Sequence, residues 1–377
     1  MTAERKISLI TLQYINNYGS VLQTYASHAY LESKGYAVET VNYTRENCGP
    51  ENLRKTMKAY YRQTFKLPFL AELLVRRWHR LHVKREKVFD GFRDQRILLS
   101  REYTSAQQLM QEPPEAHIYC VGSDQVWNYL YNDGVLPEYY LQYAPKGATK
   151  FSLASSLGIE QLEDEGIGRQ MKEYLKDFSL ITVRESTGKQ LLDSLGVENC
   201  HQILDPTLLI PGARWISGFG LKKPRDYDYV LVYQLNPCKE MRQFARQIAR
   251  KHGCKLIIIS NNIRMSVPGA EVIDNPKVEL FLELVLHARC VVTDSFHGTA
   301  FSLNFHRDIF AWMPGKYSTR LMSVLKLVGL EERAFTRADA RWETLPPIDY
   351  RKVEGIFAEE RAKADRLVEE VLSSHEK

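Results

Sequence analysis

The fold is decided by the stretch CVVTDSFHGTAFSL at residues 290–303. Residues 289–293 (RCVVT) are mainly apolar and β-branched after the first residue, which predicts a short buried strand, and an amphipathic helix is predicted just before it over residues 277–288. Small and polar residues follow the strand at once, and the apolar residues 300–305 continue as a helix. A strand, a tight turn and a helix start in this order are typical of an open α/β sheet, in which ligands bind outside the carboxyl ends of the strands.

The turn after this strand carries groups suited to an anion. A helix start offers free backbone N–H groups and a positive dipole end, and Ser295 and Thr299 add hydroxyl groups. His297 adds an imidazole that titrates near neutral pH, and Gly298 allows close backbone approach. We therefore expect phosphate or carboxylate to bind here, with His297 as the acid–base group. In a second interpretation, Asp294 or Ser295 only caps the helix and His297 only packs at the surface.

Length and composition indicate a two-domain soluble enzyme. The chain has 377 residues, of which 44% are hydrophobic and 26% charged, which is ordinary for globular proteins. It has no apolar run of about 18 residues and no apolar signal region before the first predicted strand, so we expect a cytoplasmic protein without a transmembrane helix. Its six cysteines show no CxxC spacing, so we expect free thiols rather than disulfides or a metal site.

The first loop of the chain is polar and contains glycine. A predicted strand at residues 7–12 leads to Asn16, Asn17 and Gly19, and Gln23 follows inside the first turns of a helix. Such a loop suits sugar hydroxyls or a phosphate. It lacks GxGxxG, so dinucleotide binding is weakly supported. An ordinary βα turn that uses Asn and Gly for its backbone geometry is the alternative.

Two later strand ends carry further chemistry. Ser123, Asp124 and Gln125 follow the predicted strand 117–121. Arg184 and Glu185 follow the predicted strand 177–183. An arginine fork matches carboxylate and phosphate, so Arg184 is a candidate anion ligand, although a structural ion pair would use the same residues.

Residues 51–101 form a basic segment. Fourteen lysines and arginines face five acids, which gives this segment a net charge of +9 in a chain of +5. Aromatic and aliphatic residues are interleaved at helical spacing, among them Phe65, Phe69 and Trp78. This composition is typical of a helix on an anionic membrane surface and also of a solvated helical insertion. Nucleic-acid binding is not expected, because no nucleic-acid module accompanies the charge.

Five motifs in a fixed order carry a family resemblance. They are NYGSVLQ (17–23), GSDQVWN (122–128), VRE (183–185), LDPTLL (204–209) and TDSFHGT (293–299). In this respect the chain, from about residue 7 to residue 330, resembles the polysaccharide pyruvyl transferase family. The resemblance implies an α/β fold with two Rossmann-like lobes, similar to GT-B glycosyltransferases. It also implies pyruvyl transfer from phosphoenolpyruvate to a sugar diol, which gives a pyruvate ketal and phosphate without a cofactor or a metal.

The resemblance also implies a division of the chain. Residues 1–210 would form an N-terminal lobe on the acceptor side, with a helical insertion at about 51–101. Residues 211–345 would form a C-terminal lobe on the donor phosphate side, and residues 346–377 a helix that packs back on the first lobe. The acceptor would be a surface polysaccharide or a polyprenyl-linked oligosaccharide precursor, which places the protein at the inner face of the plasma membrane.

One departure from the family pattern affects the donor. Several family members have Arg-Leu-His-Gly where this chain has SFHG at 295–298, so the arginine that would bind phosphoenolpyruvate is absent. Arg184, or a downstream residue such as Arg320 or Lys316, would have to neutralise the anion.

The predicted roles complete the hypothesis. A nucleotide-sugar glycosyltransferase and a non-catalytic glycan-binding relative remain alternatives. The catalytic candidates are His297, Glu185 and Asp124; the donor candidates are Arg184, Ser295, Gly298, Thr299, Arg320 and Lys316; the acceptor candidates are Asn16, Asn17, Gly19, Gln23, Ser123 and Gln125.

Overall fold

A computed structural model describes residues 5–64, 68–260, 267–313, 315 and 319–374. Its first sheet consists of β1 (Lys6–Ile10), β2 (Ala37–Tyr43), β3 (Leu99–Tyr103), β4 (Ile118–Val121) and β5 (Thr149–Ser152). The strands are parallel and lie in the order β3-β2-β1-β4-β5. All residues of β4 and nearly all of β1 are buried, as expected for parallel strands covered on both faces.

Between the two large sheets in sequence lies a small parallel pair, β6 (Ile181–Val183) and β7 (Cys200–Gln202). The second large sheet consists of β8 (Tyr229–Tyr233), β9 (Lys255–Ser260), β10 (Glu271–Asp274), β11 (Cys290–Thr293), β12 (Asp308–Trp312) and β13 (Ala334–Phe335). It is also parallel, and its strands lie in the order β10-β9-β8-β11-β12-β13. The predicted fold class, two α/β lobes with a helical insertion in the first, is therefore confirmed.

Helices cover both sheets and connect their strands. In the described residues they are α1 (Tyr18–Glu32), α2 (Pro50–Thr64), α3 (Pro68–Arg96), α4 (Ala106–Gln111), α5 (Tyr129–Asn132), α6 (Glu165–Leu175), α7 (Ser186–Ser194), α8 (Pro206–Leu209), α9 (Gly212–Phe219), α10 (Lys239–Lys251), α11 (Val278–Leu286), α12 (Phe296–Asn304), α13 (Thr319–Val328) and α14 (Tyr350–Ser374).

The start of α1 is fixed against the second lobe. The Tyr18 ring stacks on Phe281 of α11 with ring centroids 4.4 Å apart, and its hydroxyl donates a 2.6 Å hydrogen bond to the Pro276 carbonyl. Phe89 of α3 packs edge-on against the same tyrosine. Because aromatic pairs of this kind add to simple apolar burial, the polar residues around Tyr18 are held in place beside the second lobe.

The basic insertion is a helical hairpin formed by α2 and α3. Its two halves differ, because Phe89 and Phe92 near the end of α3 are buried in the core that both lobes share. Near the turn of the hairpin, in contrast, Phe69 and Leu73 are 82% and 53% exposed. Phe65, which the sequence placed in the same apolar set, lies outside the described residues.

The C-terminal helix α14 contacts both lobes. Its last turns pack on the first lobe, where the Tyr36 hydroxyl donates to the Leu372 carbonyl and Lys34 pairs with Asp365. Its first turns reach the second lobe, where Oε1 of Glu354 lies 3.0 Å from Nε2 of His306. Within the part of the chain that the structure describes, no helix is long and apolar enough to cross a bilayer.

Candidate active site

A cleft of about 940 Å³ lies between the two lobes. It opens at the carboxyl ends of β1, β4 and β11, the edge at which open α/β sheets bind ligands. It therefore brings together residues that the sequence assigned to the acceptor and to the donor. The predicted site residues that line it are Asn17, Asp124, Gln125, Ser295, His297 and Arg320.

Polar groups at the start of α12 are hydrogen-bonded to one another. Ser295 caps the helix and accepts a 3.2 Å bond from the Gly298 amide, while the Thr299 hydroxyl donates to the Ser295 carbonyl. A Cβ at residue 298 would lie 2.5 Å from the Thr293 hydroxyl oxygen, so glycine is needed there to pack α12 against β11. The prediction that Gly298 and Thr299 bind the donor is therefore corrected, because both are buried, neither lines the cleft, and the Gly298 amide and the Thr299 hydroxyl are bonded within the helix start.

His297 lies between the lobes. A Cβ at residue 19 would lie 2.2 Å from its Nδ1, so only glycine lets the start of α1 approach the imidazole. On the other side, its Nε2 is 3.7 Å from Oδ2 of Asp205. Gly19, predicted to bind the acceptor, is thus a packing partner of His297.

Burial determines the charge of this histidine. It lowers the His297 pKa to about 4, and the attraction of Asp205 offsets this only in part because the Arg184 guanidinium acts in the opposite direction. The imidazole is therefore neutral near pH 7. A neutral imidazole is able to accept a proton from a hydroxyl group in the cleft.

Asp205 is the residue that the sequence prediction missed. Its carboxylate is buried and accepts hydrogen bonds from Ser123 and Thr207 as well as from the Arg184 Nη1 at 2.9 Å. Burial by itself raises the Asp205 pKa, but His297 and Arg184 lower it by more. The Asp205 pKa therefore lies below its usual value, and the carboxylate stays ionised. Its sequence signals were its place in the LDPTLL motif and its position before Pro206, where an aspartate looks like an ordinary helix cap and does cap α8. Ser123 holds Asp205 rather than an acceptor.

Arg184 is surrounded by carboxylates. Besides its bond to Asp205, its guanidinium lies 3.8 Å from both Asp124 and Glu185. Its side chain is 1% exposed and lines a separate cavity of about 20 Å³ rather than the cleft, with the Phe296 ring 4.5 Å from the guanidinium. The ion-pair interpretation thus describes Arg184 better than donor binding does.

The two alternative acid–base residues differ in position. Glu185 is fully buried, and its Oε1 accepts bonds from the Leu157 and Gly158 amides, so it orders the loop after β5 instead of facing the cleft. Asp124 does line the cleft, in a left-handed backbone conformation with φ of 72°. Burial raises the pKa of Asp124, but Arg184, His297 and the Ser20 hydroxyl together bring it below its usual value. Asp124 is therefore a hydrogen-bond acceptor and not a proton donor.

Arg320 is a cation of the cleft whose charge is partly offset by the more distant carboxylates of Asp124, Glu185 and Asp205. It stands in the first turn of α13 and lines the cleft, and it forms no ion pair with any described residue. Its Nε and the neighbouring Thr319 hydroxyl are both buried without a hydrogen-bond partner in the described part of the chain. Burial and the nearby Arg184 lower the pKa of Arg320, yet a guanidinium stays protonated in proteins. Lys316, the other downstream candidate, lies outside the described residues.

The predicted acceptor residues separate into two groups. Asn17 and Gln125 line the cleft, where the Gln125 side chain is held by a 2.8 Å bond from Asn128. Gln23 is fully buried and bonds to Thr11 and to its own helix, so its prediction is corrected. Asn16 accepts a bond from Arg93 and lines a different cavity.

Comparison with protein families identifies the family of this chain. The family model described as polysaccharide pyruvyl transferase matches residues 17–307, a range that contains all five motifs. The chain belongs to the polysaccharide pyruvyl transferase family. It is therefore a member of a transferase family, and the matched range includes the cleft residue His297.

Comparison with solved structures shows the fold of this family member. It is similar to UDP-N-acetylglucosamine 2-epimerase from Rickettsia bellii, with a TM-score of 0.54 and 10% identity over 99% of this chain and 97% of that one. The UDP-GlcNAc 2-epimerase from Neisseria meningitidis has a TM-score of 0.49 and 9% identity over 98% and 100% of the two chains. The similarity to the Rickettsia bellii protein confirms the predicted GT-B-like fold, and an identity of 10% shows the fold alone. No curated protein matches the chain.

In this pyruvyl transferase family member, replacing Arg184 by alanine is expected to destabilise the fold. Three buried carboxylates would lose their shared cation, and removing one partner of a buried ion pair costs about 3–5 kcal/mol. Urea unfolding of Arg184→Ala and Arg184→Lys checks this. We expect lysine to restore only part of the stability, because it keeps the charge but loses the fork.

The control is Arg77→Ala, which removes an exposed arginine and should change stability by no more than about 0.5 kcal/mol. A folded Arg184→Ala protein with parental stability and weakened donor binding would return Arg184 to the donor site.

Proposed function

We propose that the protein transfers the pyruvyl group of phosphoenolpyruvate to two hydroxyls of one sugar, forming a cyclic ketal and releasing phosphate. The sugar belongs to a surface polysaccharide or to its lipid-linked oligosaccharide precursor. Family membership supports this proposal. The observation that carries it is that one cleft contains both a neutral imidazole, His297, and an unpaired cation, Arg320.

The donor would be held at the second lobe. Phosphoenolpyruvate carries a phosphate and a carboxylate, and Arg320 offers a fork that matches either group. The Thr319 hydroxyl and the N-terminus of α13 lie at the same place and favour an anion further. Arg320 is thus our candidate for the role of the arginine that is missing from the family motif.

The chemistry needs two sugar hydroxyls and one donor. The first hydroxyl adds to the donor carbon that bears the phosphate, and the methylene carbon gains a proton to become a methyl group. Phosphate then leaves with the electron pair of its carbon–oxygen bond, and the second hydroxyl closes the ketal. Of the two hydroxyl protons, one balances the methyl group and the other leaves on phosphate.

His297 would act as the base for the attacking hydroxyl. Its neutral state leaves a nitrogen free to accept the proton, and Asp205, at 3.7 Å, would stabilise the imidazolium that forms. Asp205 itself stays ionised, since its carboxylate is held by Ser123, Thr207 and Arg184. Asp124, Asn17 and Gln125 would orient the sugar from the first lobe.

The test compares two donors with the same glycan acceptors. A pyruvyl transferase releases phosphate from phosphoenolpyruvate only when an acceptor is present. Nucleotide release from a sugar nucleotide, without phosphate release from phosphoenolpyruvate, would show a glycosyltransferase instead. Release of neither product across a broad acceptor panel would point to a non-catalytic glycan-binding protein.

The hairpin of α2 and α3 would bring this site to the membrane that carries a lipid-linked acceptor. Tyr60, Phe69 and Leu73 are exposed near the turn of the hairpin. Arg76, Arg77 and Arg80 are exposed on the following turns of α3. Apolar groups at a tip with cations behind them fit the boundary between acyl chains and anionic headgroups.

We expect the protein to bind anionic liposomes at low salt and to dissociate as salt rises, because exposed charges are screened. Replacing Arg76, Arg77 and Arg80 together by glutamate should abolish this binding, at about 1 kcal/mol for each basic group near the surface. Flotation measures it, with neutral liposomes as a control. A parent protein that stays out of the liposome fraction at low salt would show that the hairpin is only a structural insertion.

A further inference from the structure

A second cavity of about 630 Å³ lies beside the cleft. Asn42 and Thr44 at the end of β2 line it together with Glu102 in β3, and α3 closes it from the other side. In the first sheet, β2 lies between β3 and β1, and the carboxyl end of β1 opens into the cleft. The cavity and the cleft therefore occupy successive parts of one carboxyl edge, the edge that binds ligands in open α/β sheets.

An exposed aromatic ring stands where the two spaces meet. Ile15 and Tyr131 line both the cleft and the cavity, and Tyr131 is 46% exposed. Its ring lies 5.3 Å from the guanidinium of Arg45. Arg45 is buried and is fixed by a 2.8 Å bond to Asn132 and a bond to the Tyr14 hydroxyl. Tyr131 thus presents a supported ring at the passage between the two spaces.

The cavity lining suits a neutral, hydroxyl-rich ligand. Its carboxylates (Glu46, Glu86, Asp90, Asp94 and Glu102) outnumber its guanidinium groups (Arg45, Arg85 and Arg93). Arg93 already pairs with Asp90, whereas Asp94 and Glu102 form no ion pair with any residue that the structure describes. An excess of carboxylate disfavours phosphate, while free carboxylate and amide oxygens accept hydrogen bonds from hydroxyls.

We propose that this cavity binds neutral sugar units of the acceptor beyond the sugar that receives the pyruvyl group. The chain of sugars passes over Tyr131, whose ring packs against the C–H face of one unit. Asp94 and Glu102 accept hydrogen bonds from hydroxyls of the next units. The inference rests on the proposed function for the identity of the ligand, but sugar binding here needs no donor.

The position of the helical hairpin in the chain fits this use of the cavity. The hairpin links β2 to β3, so its base lies over the ends of those two strands, and His82, Arg85 and Asp90 of α3 face the cavity. The same helix that carries the exposed tip at one end therefore forms a wall of the acceptor path at the other. A short acceptor would occupy only the cleft, and a longer one would also fill the cavity.

The test measures binding by calorimetry in the absence of phosphoenolpyruvate. The probes are neutral oligosaccharides of increasing length, size-fractionated after partial hydrolysis of the surface polysaccharide of the source cells. We expect the parent protein to bind the longer oligosaccharides about tenfold or more tightly than the shortest one. In Tyr131→Ala, and in the near-isosteric double variant Asp94→Asn/Glu102→Gln, that advantage of length should be lost.

Leu98→Ala is the matched control, because it removes an exposed apolar side chain just before β3 that lines neither the cavity nor the cleft, and it should keep the advantage. No length preference in the parent, or a preference that survives in both cavity variants, would overturn the proposal. Tighter binding of phosphorylated than of neutral oligosaccharides by the parent protein would overturn it as well. Failure of pyruvyl transfer would instead appear as absent phosphate release with every acceptor, whatever the binding series shows.

Discussion

Replacing His297 by alanine is expected to lower turnover by about a hundredfold or more while the protein stays folded. The imidazole is neutral, lies in the cleft between Gly19 and Asp205, and is the group best placed to take a hydroxyl proton. Acceptor-dependent phosphate release measures the effect. The control is His79→Ala, which removes an exposed histidine of α3 and should leave turnover unchanged.

The pH dependence of stability provides a second measure of the same histidine. Its pKa in the folded protein, about 4, lies below the ordinary value near 6.5, so the unfolded chain binds more protons between these values. The parent should therefore lose stability as pH falls from about 6.5 to about 4, and His297→Ala should lose less. Turnover of folded His297→Ala within threefold of the parent would exclude His297 as the base.

Replacing Arg320 by alanine is expected to weaken phosphoenolpyruvate binding roughly tenfold to a hundredfold. Arg320 lines the cleft and forms no ion pair with a described residue. A hydrogen bond to a charged group is worth about 1.5–3 kcal/mol, which corresponds to this loss of affinity. Calorimetric titration with phosphoenolpyruvate measures the loss. Arg320→Lys should fall between alanine and the parent, because it keeps the charge without the fork.

The opposite roles of the two arginines make this prediction specific. Arg320→Ala should lower the free energy of unfolding much less than Arg184→Ala, since Arg184 forms ion pairs with three buried carboxylates and Arg320 forms none with a described residue. Arg77→Ala is the control for general charge loss. Parental donor affinity in Arg320→Ala would move the donor role to Lys316.

Much of the fold could be predicted because its buried strands are continuous apolar runs. The predicted strands 117–121 and 289–293 agree with β4 (Ile118–Val121) and β11 (Cys290–Thr293) to within one residue at each end. The first loop was predicted to include Gly19, because Tyr18, Gly19 and Ser20 look like loop residues, whereas α1 already starts at Tyr18. They begin the helix because the Asn17 side chain caps it. Strand β10 was not predicted, since it is a half-exposed edge strand without a continuous apolar run.

The site was predicted in part, and the reason is distance along the chain. Motifs at strand ends located His297, Asp124 and Gln125 in the cleft, because the carboxyl ends of parallel strands share one edge. The environment of each side chain, in contrast, is set by residues far away in sequence. A bond from Ser123 to Asp205 spans 82 residues, and no local pattern shows it. The roles of Gly19, Ser123, Gln23 and Glu185 in packing and hydrogen bonding became visible only in three dimensions.

Transfer of the pyruvyl group itself is the most direct measurement. The protein is incubated with phosphoenolpyruvate labelled with carbon-13 at its central carbon and with a panel of lipid-linked and water-soluble glycans. We expect the label to appear in a glycan as a ketal carbon bonded to two sugar oxygens, with one phosphate released for each ketal formed. Glycans that stay unlabelled throughout the panel, with the protein folded and phosphoenolpyruvate intact, would contradict a pyruvyl transferase.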